Sequence, residues 1–86
     1  MKQAILYSVP DCPRCHQVAV WLLAHGIVFQ NRNLANSNVL TDLRLDGEFS
    51  LQAPILKIGG IYHPSGWLFD GDRLREEKLQ KALEEA

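Results

Sequence analysis

Short apolar runs alternate along this chain with stretches in which apolar residues return every three or four positions. Gln3-Ala4-Ile5-Leu6-Tyr7 reads as a buried strand, closed by the turn residues Ser8-Val9-Pro10-Asp11. Pro13 suits the first turn of a helix, where its missing N–H costs nothing. Cys15, Val18, Ala19, Leu22 and Leu23 then recur at helical spacing up to Gly26, a natural stop. Residues 27 to 32 read as a second strand that loses its apolar character at the end. Asn36 or Ser37 can cap a short helix carrying Val39, Leu40 and Leu43, ended by Gly47.

Ala53-Pro54 introduces a third strand, Ile55-Leu56-Lys57-Ile58, and Gly59-Gly60 is a two-residue hairpin signal leading into Ile61-Tyr62-His63. Pro64-Ser65-Gly66 breaks the pattern before Trp67-Leu68-Phe69. Asp70 or Asp72 can cap a last helix with Leu74, Leu79, Ala82 and Leu83 inward, supported by Arg73–Glu77 and Glu77–Lys81 pairs. The order β-α-β-α-β-β-α predicts an α/β fold: a mixed four-stranded sheet with helices on both faces. The first βαβ unit should be parallel with a right-handed crossover, and the hairpin antiparallel. Nothing in the pattern suggests a repeat or a linker.

Size limits the rest. At 86 residues the expectation is one domain over residues 1–86, with no room for a second core. Nine basic and ten acidic residues leave a net charge of -1, which supplies no field for nucleic acid or an anionic membrane. The apolar stretch near the N-terminus is too short for a signal-peptide core, and nothing approaches a membrane span. A cytoplasmic location is the expectation, and nothing forces a dimer, so a monomer is expected too.

Both cysteines of the chain lie in Asp11-Cys12-Pro13-Arg14-Cys15, where a strand hands over to a helix. In a reducing compartment such a pair points to catalysis, redox sensing or metal binding rather than to a structural staple. Cys12 at the helix start faces unpaired N–H groups and the positive end of the helix dipole, which favour thiolate. Arg14 adds to this if it turns back toward the sulfur, whereas Asp11 opposes it. Cys15, about one turn on, is placed to resolve a mixed disulfide formed on Cys12. Cys12, Cys15 and His16 could contribute zinc ligands, but no second Cys-x-x-Cys accompanies them, and no metal site is expected.

Cys-Pro-x-Cys after the first strand, joined to Ala53-Pro54 opening the third, resembles the glutaredoxin branch of the thioredoxin fold. The resemblance runs from Ala4 to the final helix. It implies a dithiol–disulfide oxidoreductase with Cys12 as nucleophile and Cys15 as resolving thiol, reducing protein disulfides or glutathione mixed disulfides. It implies a cis bond before Pro54, facing the cysteines, and a backbone at Ala53 that pairs with a bound peptide or glutathione. Pro13, Arg14, Gln52, Ala53, Pro54, Trp67, Asp70 and Asp72 are the substrate- or glutathione-binding candidates that follow. Arg44 is a further candidate for a glutathione carboxylate.

The chain also departs from that pattern. Typical glutaredoxins have Tyr where this chain has Arg14, a lysine shortly before the first cysteine, and a Gly-Gly pair followed by acidic residues; here that last stretch is Ser65-Gly66-Trp67-Leu68-Phe69-Asp70-Gly71-Asp72. This stretch is closer to the glutaredoxin-like proteins that serve ribonucleotide reductase and take electrons from thioredoxin reductase. Glutathione and a thioredoxin-reductase-type flavoprotein are therefore both donor candidates, with no bound cofactor. A disulfide-containing protein, ribonucleotide reductase among them, is the substrate expected. The alternatives are an iron–sulfur carrier and a redox-sensing binding protein.

Several side chains stay open between function and packing. Trp67 lies beside the loop expected to flank Pro54, where it can dock a partner or simply pack. Trp21 falls off the main apolar stripe and is expected over the sheet edge. His16 reads as a helix-surface residue, His25 as a helix-end residue and His63 as a strand-edge residue without a partner.

Overall fold

Alternation along the first strand organises the molecule, because its successive side chains feed opposite layers. The computed structural model describes residues 3–50 and 52–85. In β1 (Ala4–Ser8), Leu6 joins one hydrophobic cluster and Tyr7 the other. β1 pairs in parallel with β2 (Phe29–Asn33) and antiparallel with β3 (Ile55–Ile58), which pairs antiparallel with β4 (Ile61–His63). The sheet order is β2-β1-β3-β4. Gly59 and Gly60, at φ 55° and 86°, make the β3–β4 turn; two consecutive positive φ values are what such a tight hairpin needs.

One face of the sheet carries α1 (Pro13–Ala24), the short α3 (Ser65–Leu68) and α4 (Glu76–Glu85). Their Val18, Leu22, Leu68, Leu79 and Leu83 pack with Leu6, Leu56 and Ile58. The other face carries α2 (Ser37–Leu45), whose Leu43 packs with Tyr7 and Ile55. The expected mixed sheet with helices on both faces is present.

The local signals explain where the longer helices start and stop. Pro13 is at the first position of α1, and Asn36 caps α2 by accepting from the N–H groups of Asn38 and Val39. Both helices end in the same way. Gly26 and Gly47 turn to positive φ, and the N–H of the next residue, Ile27 or Glu48, returns to the carbonyl of Leu22 or Leu43. This explains why β2 begins at Phe29 and not at residue 27. The N–H of Ile27 is spent on the helix end, and Val28 projects into solvent at 83% exposure.

Trp21 also departs from expectation. It is buried in the α1 cluster rather than lying over the sheet edge, with the His25 ring stacked on it at 3.9 Å. The larger correction is after α3. Asp70 and Asp72 do not cap a helix, and Leu74 is not helical. Phe69–Asp70 (β5) and Arg73–Leu74 (β6) form a second, two-stranded antiparallel unit. Gly71, at φ 61°, and Asp72 are its two-residue turn. The last helix starts at Glu76, and the carbonyl of Arg75 accepts from Lys78 and Leu79. Arg73 pairs with Glu77 at 3.3 Å; among the described residues Glu77 and Lys81 form no ion pair.

Candidate active site

The end of β1 delivers the chain to the cysteines. Ser8 donates from its hydroxyl to the Asn31 side chain at 2.6 Å, and its carbonyl accepts from Leu34 at 2.8 Å. The strand end is thereby tied to β2 and the segment after it. Asp11 then takes a positive φ of 56°, a conformation that asparagine and aspartate tolerate better than most residues. This bend brings Cys12 to the N-cap of α1, where its Sγ accepts from the Cys15 N–H at 3.1 Å.

Cys12 and Cys15 are joined in a disulfide. Their exposures differ: Cys15 is buried at 5%, whereas Cys12 is only half-buried. Both border a surface hollow of about 330 Å3 shared with Ser8, Asp11, His16 and Asn31. An incoming sulfur therefore meets Cys12 more readily than Cys15.

Pro54 approaches the same end of the sheet from β3. The Ala53–Pro54 peptide bond is cis and Pro54 is fully buried. Tyr7 pairs with Ile55, so continuing the register one step sets Pro54 opposite Ser8. On the other side, Leu56 pairs with His63, where the β3–β4 ladder ends, and Pro64 then leads into α3. The loop leading into Pro54 is held by Arg44, which donates to the carbonyls of Glu48 at 2.9 Å and Ser50 at 3.1 Å. Glu48 in turn accepts from the backbone and hydroxyl of Ser50.

The β5–β6 turn closes the other flank. Asp72 accepts from Arg14 at 3.2 Å, and the Arg14 guanidinium lies 5.6 Å from the centre of the Phe69 ring.

Several solved structures share this arrangement of elements. A protein described as thioredoxin-like matches with a TM-score of 0.73 at 23% identity, over 93% of this chain and 99% of that one. A glutaredoxin from Archaeoglobus fulgidus matches with a TM-score of 0.70 at 18% identity, over 96% of this chain and 87% of that one. The glutaredoxin-like NrdH-redoxin from Escherichia coli matches with a TM-score of 0.61 at 24% identity, over 72% of this chain and 80% of that one. The chain has the thioredoxin fold. No family model and no curated protein sequence matches it.

Within this thioredoxin fold the candidate residues fall into four places. Cys12, Pro13, Cys15, Ala53 and Pro54 lie at one end of the sheet, on the elements extending β1 and β3. Arg14, Asp70 and Asp72 form a rim beside them, with both aspartates exposed and Arg14 committed to Asp72. Gln52 is exposed beside a shallow hollow with Ser50, Pro64 and Ser65. Trp67 stands apart, bordering a different groove against His63 at 4.2 Å. His63 thus has a partner that the sequence did not reveal, and burial holds its imidazole pKa below the usual value.

Arg44 is occupied by backbone carbonyls, and its guanidinium lies 5.9 Å from the centre of the exposed Phe49 ring. His16 is exposed on α1, as expected. Among the described residues no three His, Cys, Asp or Glu side chains gather as metal ligands. No helix among them is long and apolar enough to cross a membrane.

Besides the His63–Trp67 contact, two features escaped the sequence reading. The Arg14–Asp72 pair depended on recognising the β5–β6 hairpin, whose signal was the Gly71-Asp72 turn between Asp70 and Arg73. The cluster of Asp46 with Lys57 and Tyr62 joins α2 to the sheet edge across a sequence distance that no local pattern encodes.

Proposed function

We propose that this chain is a small dithiol–disulfide oxidoreductase, cytoplasmic and monomeric, that reduces disulfides in a protein substrate. The observation that carries the reading is the asymmetry of the pair, with Cys12 accessible at a helix N-cap and Cys15 buried one turn behind it. In the reduced state, the Cys15 N–H and the helix dipole stabilise a Cys12 thiolate.

That thiolate attacks one sulfur of the substrate disulfide. A Cys12–substrate bond forms, the substrate S–S bond breaks, and the departing thiolate takes up a proton. Cys15, deprotonated, then attacks the Cys12 sulfur. The Cys12–Cys15 disulfide forms and the second substrate thiolate leaves and is protonated. The two electrons given up are restored by an external dithiol or by two molecules of a monothiol.

Ala53 and Pro54 form the platform beside the thiolate, where the backbone of Ala53 pairs with an extended substrate segment. Pro13 fixes the helix start, and Gln52 contributes from the rim. Asp70 and Asp72 bound the opposite side.

The donor we favour is a thioredoxin-reductase-type flavoprotein rather than glutathione. Glutathione carries two carboxylates and needs cations free to receive them. The two arginines near the site are engaged, Arg14 by Asp72 and Arg44 by two carbonyls.

A donor assay on the oxidised chain tests both parts. NADPH consumption is followed with thioredoxin reductase alone, or with glutathione and glutathione reductase. Turnover with thioredoxin reductase only is expected. Turnover only with glutathione would overturn the donor assignment and leave the exchange chemistry standing. No turnover with either, together with an ordinary Cys12 thiol, would sink the oxidoreductase reading.

A further inference from the structure

A groove of about 390 Å3 runs between β4 and α4, on the side of the molecule where Trp67 lies. Among the described residues β4 is the edge of the four-stranded sheet and is bonded to β3 alone, so its outer side offers unpaired backbone groups. Ile61 lines the groove and is 64% exposed, leaving its side chain open to an apolar partner. At the other end of β4, the His63 ring lies against Trp67, and the Lys78 ammonium lies 5.6 Å from the centre of the Trp67 ring.

The charges indicate the kind of occupant. Among the described residues, Arg14, Arg32, Lys57 and Arg73 are ion-paired, Arg44 is bonded to two carbonyls, and the Nε of Arg75 is buried. Lys78 and Lys81 are the remaining basic side chains, and among the described residues neither is within ion-pair distance of a carboxylate. Three positions apart on α4, they share the face that borders the groove. The one acidic residue lining it, Glu85, lies two helical turns beyond Lys78. The other glutamates of α4 fall outside the lining, and Glu77 is taken by Arg73. The result is an apolar floor, an open strand edge and two cations with no carboxylate partner among the described residues.

We propose that this groove binds an extended acidic peptide segment of a partner protein, its backbone along β4, an apolar side chain over Ile61 and Trp67, and its carboxylates on Lys78 and Lys81. A strand edge with an adjacent side-chain groove is a setting in which peptides add as a further strand. Three residues of β4 span about 10 Å, enough for three or four residues of extended peptide. The surface is distinct from the cysteine hollow, and the proposal stands whether or not the pair is catalytic. It also has an orientation. His63, the last residue of β4, pairs with Leu56, two residues after Pro54, so one end of a bound segment points toward the end of the sheet that carries Pro54.

The test uses the whole chain and a fluorescein-labelled peptide of alternating aspartate and leucine, read by fluorescence anisotropy. Saturable binding that weakens as salt is raised is the expected result. The same peptide with asparagine for aspartate, and the variant Lys78→Glu/Lys81→Glu, should each bind about tenfold more weakly or worse. Ile61→Asp, at an exposed position that leaves folding intact, should give a similar loss. Cys12→Ser should bind as the unaltered chain does, which separates this surface from the redox reading.

Lack of saturation would overturn the proposal. So would equal affinity for the two peptides, indifference to the lysine reversal, or a concentration-dependent dimer that the peptide competes away. The last outcome would assign the groove to a second copy of the chain.

Discussion

Arg14 in the first turn of α1 and Asp72 in the β5–β6 turn are 58 residues apart in sequence and meet at 3.2 Å. Their side chains are 40% and 96% exposed, so the pair adds only about 0–1 kcal/mol to stability. Its consequence is electrostatic. A cation two residues from Cys12 in the chain is partly neutralised by an anion from another element.

Asp72→Asn should therefore lower the Cys12 thiol pKa by removing a negative charge, and Arg14→Ala should raise it. The pH dependence of iodoacetamide alkylation of the reduced protein measures both. Two profiles that coincide with that of the unaltered chain would separate this pair from the thiol.

The two cysteines should behave unequally. Cys15→Ser should accumulate a stable mixed disulfide with an oxidised protein or with oxidised glutathione, because the resolving thiol is gone. Cys12→Ser should accumulate almost none, since Cys15 is 5% exposed. Intact mass under non-reducing conditions distinguishes them, and equal trapping would contradict the assigned roles.

Leu56 is fully buried where β3 packs against α1 and α4. Leu56→Ala should lower the free energy of unfolding by about 2–5 kcal/mol. Val28→Ser, at 83% exposure, should stay within about 0.5 kcal/mol. Urea denaturation of the reduced proteins provides the comparison.

His63 sets a pH dependence through its burial. Its folded pKa is held below the ordinary value of 6.5, so between those two pH values the unfolded chain binds the extra proton. Stability should fall as pH drops from 6.5 toward the folded pKa and level off below it. In His63→Gln this component should vanish from a melting-temperature series across pH 5 to 8. A series identical to that of the unaltered chain would refute the assignment.

Asp46 works with the opposite sign. A hydrogen bond from the Tyr62 hydroxyl, then Lys57 at 3.3 Å, hold its carboxyl below the ordinary value of 3.8. The stabilisation is present above pH 3.8 and is lost as pH falls through the folded pKa. Tyr62→Phe should move the Asp46 pKa up toward 3.8, as followed by carboxyl carbon NMR. An unmoved titration would remove the hydrogen bond as its cause.

These cases separate what local sequence encodes from what packing decides. Pro13, Gly26, Gly47 and the Gly59-Gly60 turn act through their own backbone preferences, so the elements around them were legible residue by residue. The cysteine pair was legible for the same reason, because strand, turn and helix are consecutive. Asp70 and Asp72 were ambiguous, since aspartate serves helix caps and hairpin turns alike. The pairing of Phe69 with Leu74 decided between the two. Trp21 was misplaced because an apolar stripe drawn from aliphatic residues was narrower than the face that α1 buries. His63–Trp67, Arg44 with its loop and Asp46–Tyr62 join separate elements, and no window of sequence contains them.

The two hydrophobic clusters on opposite faces of the sheet have a bearing on how such a chain can change. α1 and the β5–β6 turn, which shape the surroundings of the cysteines, belong to one side; Leu34, Val39 and Leu43 belong to the other. Substitutions at Leu34 and Val39 can be selected for expression or heat tolerance without rearranging the atoms around Cys12. Those two side chains can drift across a lineage, or be randomised first by an engineer, whereas Arg44 on the same side is tied to the loop before Pro54.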